Sequence, residues 1–394
     1  MADGTAQGSR FDQVVDRSGT GALMLARERY SVPADATPLW VADMAFRAPE
    51  AVTQALAERV RHGIFGYSLP TDAYYEALAG WFARRHGWEV DPRAAVLTRG
   101  VVHALYLALE ALTPPDAGVI IQPPVYAPFF EVVKATGRRL LENPLVESAG
   151  RYEVDFDQFE ALARDASAFI LCSPHNPVGR VWTRAELARL ADICLRHDVW
   201  IISDEVHQDF VYPGHKHVVT ATLDPAVAAR TVTTTAPSKT FNLAGLQLAN
   251  VFVPDAVARA RLQAAYAAQG LSQHPGLGLL ACQAAYGGGA DAWVDELVAY
   301  LDGAMALIES RVAEGGLRGV RFARPEGTYL AWLDFRALGL EPAALRRLVL
   351  NEARLWLSDG PGFGAEGRGF QRLNAAAPHA VIETALDRLA AAVN

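Results

Sequence analysis

The chain has 394 residues, 51% of them hydrophobic and 20% charged, which excludes a disordered, collagen-like or small disulfide-stapled chain and leaves material for a large core. Thirty-six basic against 44 acidic residues give a net charge of −8, a poor surface for sequence-independent nucleic-acid binding. No apolar run nears the ~18 residues that span a bilayer, so no membrane partner is expected. The first ten residues lack the apolar stretch of a signal peptide and read as a frayed tail. Cys172, Cys194 and Cys282 are too scattered for a disulfide framework or a zinc knuckle and read as buried small hydrophobes. This balance points to a cytoplasmic enzyme.

Along the chain, helical spacing covers Ala51–His62, Asp72–His86 and Val102–Leu112, the last starting just after Gly100. Short runs that are apolar on both faces follow a strand-like Ala95–Thr98: Gly118–Gln122, Ala168–Cys172, Val199–Ser203, Thr231–Thr234 and Leu248–Val253. Such runs separated by helices predict an α/β fold with a parallel sheet between helices. Thr183 and Glu186 form a capping box for a crossover helix over Glu186–Arg196. Composition changes near Gly287–Gly289. A long helix from Ala292 to about Glu314 follows, then strands near Gly319–Phe322 and Tyr329–Asp334 and helices near Pro342–Ala353 and Ala380–Ala392. The expected division is a large domain over 46–289 and a smaller α+β domain built from 1–45 and 290–394.

In open parallel sheets ligands sit at the carboxyl ends of the strands, so the polar residues just after each predicted strand are the candidates for chemistry. Asn176 lies in Ser173–Gly179, a loop with two prolines, and reads either as an Asx turn or as a ligand. Asp204 ends a buried strand, where a carboxylate is costly unless paired; it is a cap or the counter-ion of a buried cation. His207 has Asp209, His215 and His217 nearby, but their spacing fits no zinc pattern, and no metal is expected. Lys239 stands in a small and apolar setting, where desolvation makes an amine nucleophilic, although a solvated loop lysine fits the same residues. Gly100 precedes a helix N-terminus able to bind phosphate. Arg368 and Arg372 are either surface ion-pair residues or a fork for a carboxylate.

Taken in order, Ser173-Pro174-His175-Asn176-Pro177, Ser203-Asp204-Glu205-Val206-His207, Ser238-Lys239-Thr240-Phe241-Asn242 and Arg372-Leu373-Asn374 resemble the fold-type-I pyridoxal-phosphate enzymes of the class I/II aminotransferase superfamily. The resemblance runs from about Phe11 to Ala392. With Trp40–Met44 and Gly63–Tyr67 it narrows to the cystathionine β-lyase branch of carbon–sulfur lyases. It implies a covalent link from Lys239 to pyridoxal 5'-phosphate, with Asp204 on the pyridine nitrogen, Asn176 on the phenolic oxygen and Tyr126 stacked on the ring. It further implies Gly100, Val101, Val102 and Ser238 at the phosphate, His207 among the cofactor-binding residues, and Arg372 on the substrate carboxylate beside the Ala42 backbone. Tyr67 is implied to reach the phosphate or substrate of a neighbouring subunit, hence a homodimer with shared active sites. A small amino acid is the implied partner.

Several positions depart from the pattern. Gln247 replaces a phosphate-binding arginine, Ala236 a serine, Asp359 a proline, and Ala45 interrupts the run after Asp43-Met44. A Lys-Trp pair expected within Gly21–Arg29 is absent. Ala45, Asp359 and that pair lie by the substrate entrance in the family, which puts the substrate rather than the cofactor in question. The resemblance implies α,β-elimination from L-cystathionine or cysteine S-conjugates to a thiol, pyruvate and ammonia. An aminotransferase, and a regulatory protein without turnover, use the same scaffold.

Overall fold

The structure is a computed structural model that describes residues 8–271 and 273–394. The expected tail therefore lies outside the described residues over positions 1–7. It ends at Phe11, which is buried against Phe46 and Trp293 with ring centroids 5.0 and 5.5 Å away. No helix among the described residues is long and apolar enough to cross a membrane.

A seven-stranded sheet runs in the order Ala95–Thr98, Ala249–Phe252, Thr231–Thr235, Trp200–Asp204, Ala166–Cys172, Gly118–Ile121, Arg139–Glu142. Every neighbouring pair is parallel except those made by Ala249–Phe252, which runs against both of its neighbours. Arg139–Glu142 is an edge strand absent from the sequence-based set. Its two charged ends are exposed and its two leucines only partly covered, and so it lacks the buried apolar run that marks the central strands.

Those central strands are apolar on both faces because helices cover both. Ile121, Ile170 and Ile202 share one cluster with Leu105 and Leu109 of the helix Val101–Leu112. The adjacent residues Ile120, Phe169 and Ile201 point the other way and pack with Phe159, Leu187 and Leu190. The latter two belong to the helix Arg184–Arg196, where Thr183 Oγ1 accepts from the Glu186 N–H and Glu186 accepts from the Thr183 N–H. Asp72–His86 forms as expected, capped by Thr71.

Past the long helix Asp291–Ala313 lies a four-stranded antiparallel sheet, ordered Arg321–Phe322, Leu330–Asp334, Phe370–Asn374, Ser358–Asp359. The helix expected over Pro342–Ala353 is regular only to Arg347 and continues to Glu352 as a wider π-type coil. The C-terminal helix spans His379–Val393. Thr37–Pro38 pairs in parallel with Leu355–Trp356 and ties the N-terminal segment to this C-terminal part.

Candidate active site

Three strand ends and one helix start meet at a cavity of about 280 Å³, whose wall includes Ala42, Gly100, Tyr126, Asn176, Asp204, His207 and Lys239. Thr231–Thr235 ends one residue before a single helical turn, Pro237–Thr240, which presents Lys239. Lys239 Nζ donates to the Ala42 carbonyl at 2.7 Å. Burial, helped by the Arg372 charge, lowers the amine to a pKa of about 8 against the pull of Asp43 and Asp204.

Asp204 closes the strand Trp200–Asp204 and is 5% exposed. Its Oδ1 accepts from the Val206 N–H at 3.2 Å, so it does cap the following turn. Burial nevertheless pushes its carboxyl up to about 7, with Lys239 too weak a counterweight. Glu205 and Asp209 are equally buried, and burial pushes them up as well, but their partners outweigh it and both sit below the usual carboxylate range. Glu205 accepts from His217 at 2.9 Å and from the Thr220 N–H at 3.0 Å. Asp209 pairs with His86 at 2.9 Å and accepts from the Thr240 hydroxyl at 2.6 Å. The cluster around His207 thus resolves into two separate His–carboxylate pairs, and among the described residues no three His, Cys, Asp or Glu side chains gather as metal ligands.

Arg372, on Phe370–Asn374, is buried, whereas Arg368 is exposed and pairs with Glu341. The surface reading therefore holds for Arg368 alone. Arg372 Nη1 donates to Asn176 Oδ1 at 3.1 Å, and Nη2 donates to the Trp40 carbonyl at 2.7 Å and to Ser358 Oγ at 3.1 Å. Its buried Nε has no partner among the described residues. Burial lowers the guanidinium to about 10, which still leaves it charged at neutral pH.

At the helix start, Gly100 takes φ 108°, a conformation closed to other residues, and no side chain caps the first-turn N–H groups of Val101–Leu112. Ser238 and Gln247 line the same cavity. Burial, followed by the Asp204 charge, pushes the Tyr126 hydroxyl up to about 12. Burial and the charges of Lys239 and Arg372 push His207 well down, so its imidazole is neutral.

Of the residues that the resemblance assigns to the cofactor or substrate, Tyr67 stands apart: it is 92% exposed, and its side chain is not part of the cavity wall. Ala45 donates its N–H to Ala376, and Asp359 binds Arg346 at 2.8 Å and Gln371 at 3.0 Å; neither lines the cavity. Of the departures, Gln247 lines it.

The sequence reading missed how the irregular segment Trp40–Met44 is held. Each of its carbonyls is taken by a side chain: Trp40 by Arg372, Val41 and Asp43 by Asn374 Nδ2 at 2.8 Å each, and Met44 by Asn242 Nδ2 at 2.9 Å. The Ala42 carbonyl accepts from both Lys239 and the Tyr329 hydroxyl, the latter at 3.2 Å. A carbonyl leaves no mark in a sequence; the usable signal was the pair of amides, Asn242 and Asn374, inside otherwise recognisable motifs.

The model of the class I and II aminotransferase family matches residues 35–389. The chain is 43% identical over 388 residues to the cystathionine β-lyase PatB of Bacillus subtilis, covering 98% of this chain and 100% of that one. Among solved structures, cystalysin from Treponema denticola, which contains pyridoxal 5'-phosphate, superposes with a TM-score of 0.93 at 35% identity over 97% of this chain and 98% of its own. A PLP-bound Clostridium difficile protein, provisionally named an aminotransferase, superposes with a TM-score of 0.95 at 37% identity over 98% and 100%.

Proposed function

The chain belongs to the class I and II aminotransferase family, and from that premise we propose that it is a pyridoxal-phosphate-dependent carbon–sulfur β-lyase. Its substrates are L-cystathionine or cysteine S-conjugates, cleaved to a thiol, pyruvate and ammonia. The observation that carries the reading is the full-length likeness to relatives named as cystathionine β-lyases, joined to a cavity whose unmet groups suit this cofactor.

The fit is chemical. A helix start with uncapped N–H groups and a serine hydroxyl suits a phosphate. Asp204, buried with no cation in direct contact among the described residues, suits a protonated pyridine nitrogen. Lys239, with its amine lowered to about 8, suits covalent attachment to an aldehyde. Bound there, pyridoxal phosphate supplies a conjugated ring that takes up the electron pair released at the substrate Cα.

The chain's own residues do the rest. Arg372 orients the substrate through its carboxylate, using the orphaned Nε that Asn176, Trp40 and Ser358 leave free. Asp204 holds the proton on the ring nitrogen and so keeps the ring electron-poor. The Asn176 carbonyl oxygen steadies Arg372, and its amide nitrogen would donate to the phenolic oxygen of the bound cofactor. His207, a neutral imidazole, and Tyr126 line the same cavity and would hold the ring there. Lys239 receives the Cα proton on Nζ, after which the sulfur leaves from Cβ.

Three finer readings accompany this proposal. The protein acts in the cytoplasm, it is divided into 46–289 and 1–45 with 290–394, and it works as a homodimer in which Tyr67 reaches the neighbour's site. An aminotransferase remains the second reading, favoured by the name of the Clostridium relative. The test is pyruvate release from L-cystathionine by the PLP-loaded protein with no keto acid added. Sustained turnover is expected. Amino-group transfer only when an α-keto acid is supplied would overturn the lyase reading in favour of the second.

A further inference from the structure

Lys239 Nζ has one hydrogen-bond acceptor among the described residues, the Ala42 carbonyl, and that oxygen is shared with the Tyr329 hydroxyl. A carbonyl has two lone pairs, so one donor can fix its direction while the other uses it. Tyr329 is itself immobilised. It is fully buried, its ring packs on Phe210 at 4.9 Å and His207 at 5.6 Å, and its backbone carbonyl accepts from the Ala375 N–H at 2.9 Å. Burial raises its pKa, so the hydroxyl keeps its proton and remains a donor.

We propose that Tyr329 is a positioning residue for Lys239: its hydroxyl fixes the Ala42 carbonyl as the acceptor on which the Lys239 amine rests whenever that amine is free of the cofactor. The proposal rests on the pyridoxal-phosphate reading above, in which Lys239 is released when substrate binds and then takes the Cα proton onto Nζ. The resulting ammonium is partly buried and needs an oriented acceptor. Other charged or titratable groups face it from each packed element: Arg372 from the antiparallel sheet, Asp43 from the Trp40–Met44 segment, and Asp204 and His207 from the end of strand Trp200–Asp204. None of these is hydrogen-bonded to Nζ among the described residues, and Ala42 lies in an irregular segment whose carbonyl would turn without its second donor.

Tyr329→Phe removes the hydroxyl and keeps the ring. Tyr212→Phe is the matched control, because the Tyr212 hydroxyl, also buried, donates at 2.7 Å to the carbonyl of the adjacent Thr328. The first readout uses the full chain stripped of cofactor: the pH dependence of Lys239 reductive methylation, followed by peptide mass spectrometry. The Lys239 pKa should fall by about 0.5 or more in Tyr329→Phe, as the ammonium loses its acceptor, and stay put in Tyr212→Phe. The second uses the holoenzyme. KM and cofactor affinity should hold, kcat should fall about tenfold, and the isotope effect from deuterium at Cα should grow, because the proton now moves to a poorly placed amine. An unchanged or raised Lys239 pKa in Tyr329→Phe, an equal fall in the control, or a kcat loss without a larger isotope effect would each overturn the proposal. Wild-type protein that released no pyruvate would defeat the lyase reading instead, and the methylation readout would still decide the role of Tyr329.

Discussion

Asp204, Glu205 and Asp209 stand within six positions of one another, and all are buried; their partners alone separate their chemistry. Glu205 accepts from His217 and Asp209 pairs with His86, whereas Asp204 accepts from a backbone N–H and has no side-chain partner among the described residues. This asymmetry fixes a pH dependence. The folded carboxyl is raised from 3.8 to about 7, so the contribution of Asp204 to the stability of the cofactor-free chain is fully present below 3.8 and is lost as pH rises through about 7, opposite in sign to the contributions of Glu205 and Asp209. Asp204→Asn keeps an acceptor for Val206 and removes the charge. It should stabilise the cofactor-free chain at pH 8 by on the order of 2–4 kcal/mol in urea unfolding. The gain should shrink as pH is lowered toward 4, and the variant should retain pyridoxal phosphate poorly. A wild-type chain no less stable than the variant at pH 8 would contradict the site. At this scale the sequence was most legible: Lys239, Asp204, Asn176 and Arg372 follow strand ends or lie on a strand in motif order, and the structure brings all four to one cavity or its wall. Whether Arg372 was buried or exposed was not legible, because Arg368 four residues earlier has the same side chain and sits in solvent beside Glu341.

Elements were legible where local chemistry dictates them. The Thr183–Glu186 box and the helical spacing over Asp72–His86 are short-range signals, and both form. Strand direction was not legible, since Ala249–Phe252 is as buried as the parallel strands of the sheet yet runs against both of its neighbours, and periodicity contains no sense of direction. The hold on Trp40–Met44 lies furthest from the sequence, because it consists of backbone carbonyls met by distant side chains. Asn374 is its main tie: one amide nitrogen serves the Val41 and Asp43 carbonyls, while its Oδ1 accepts from the Ala376 N–H at 2.9 Å. Asn374→Ala strands these groups in a buried site and should cost about 1–3 kcal/mol by denaturant unfolding. Because the same segment presents Ala42 to Lys239 and Trp40 to Arg372, activity should fall more than stability alone explains. A variant with native kcat/KM at temperatures where it remains folded would show that the segment does not set the site.

At the scale of the molecule, the two sheets and the N-terminal segment explain why one site draws on residues from Ala42 to Arg372: the strand ends of the large sheet supply Asp204 and Lys239, the antiparallel sheet supplies Arg372, and Trp40–Met44 bonds to both. One surface is unexplained within a single chain. Val60, Ile64, Phe65, Tyr67 and Leu69 all lie more than half exposed in one short stretch, a concentration of apolar surface that marks a contact rather than a solvent face. Under the dimer reading this stretch is covered by a second copy and delivers Tyr67 to the neighbour's phosphate. Ile64→Asp combined with Phe65→Asp alters only exposed side chains, so each chain should fold with an unchanged circular dichroism spectrum. Sedimentation should then give a dimer for the wild-type protein and a monomer for the variant at micromolar concentration. The monomer should also bind pyridoxal phosphate roughly tenfold or more weakly, since about 1.4 kcal/mol, the worth of one good hydrogen bond to a charged group, is lost with the neighbour's tyrosine. Tyr67→Phe should reproduce the weaker cofactor binding while remaining dimeric, which separates the hydroxyl's contact with phosphate from the apolar contact that brings it there. A wild-type protein that sediments as a monomer and still holds the cofactor tightly would remove the shared site and leave the exposed stretch to some other partner.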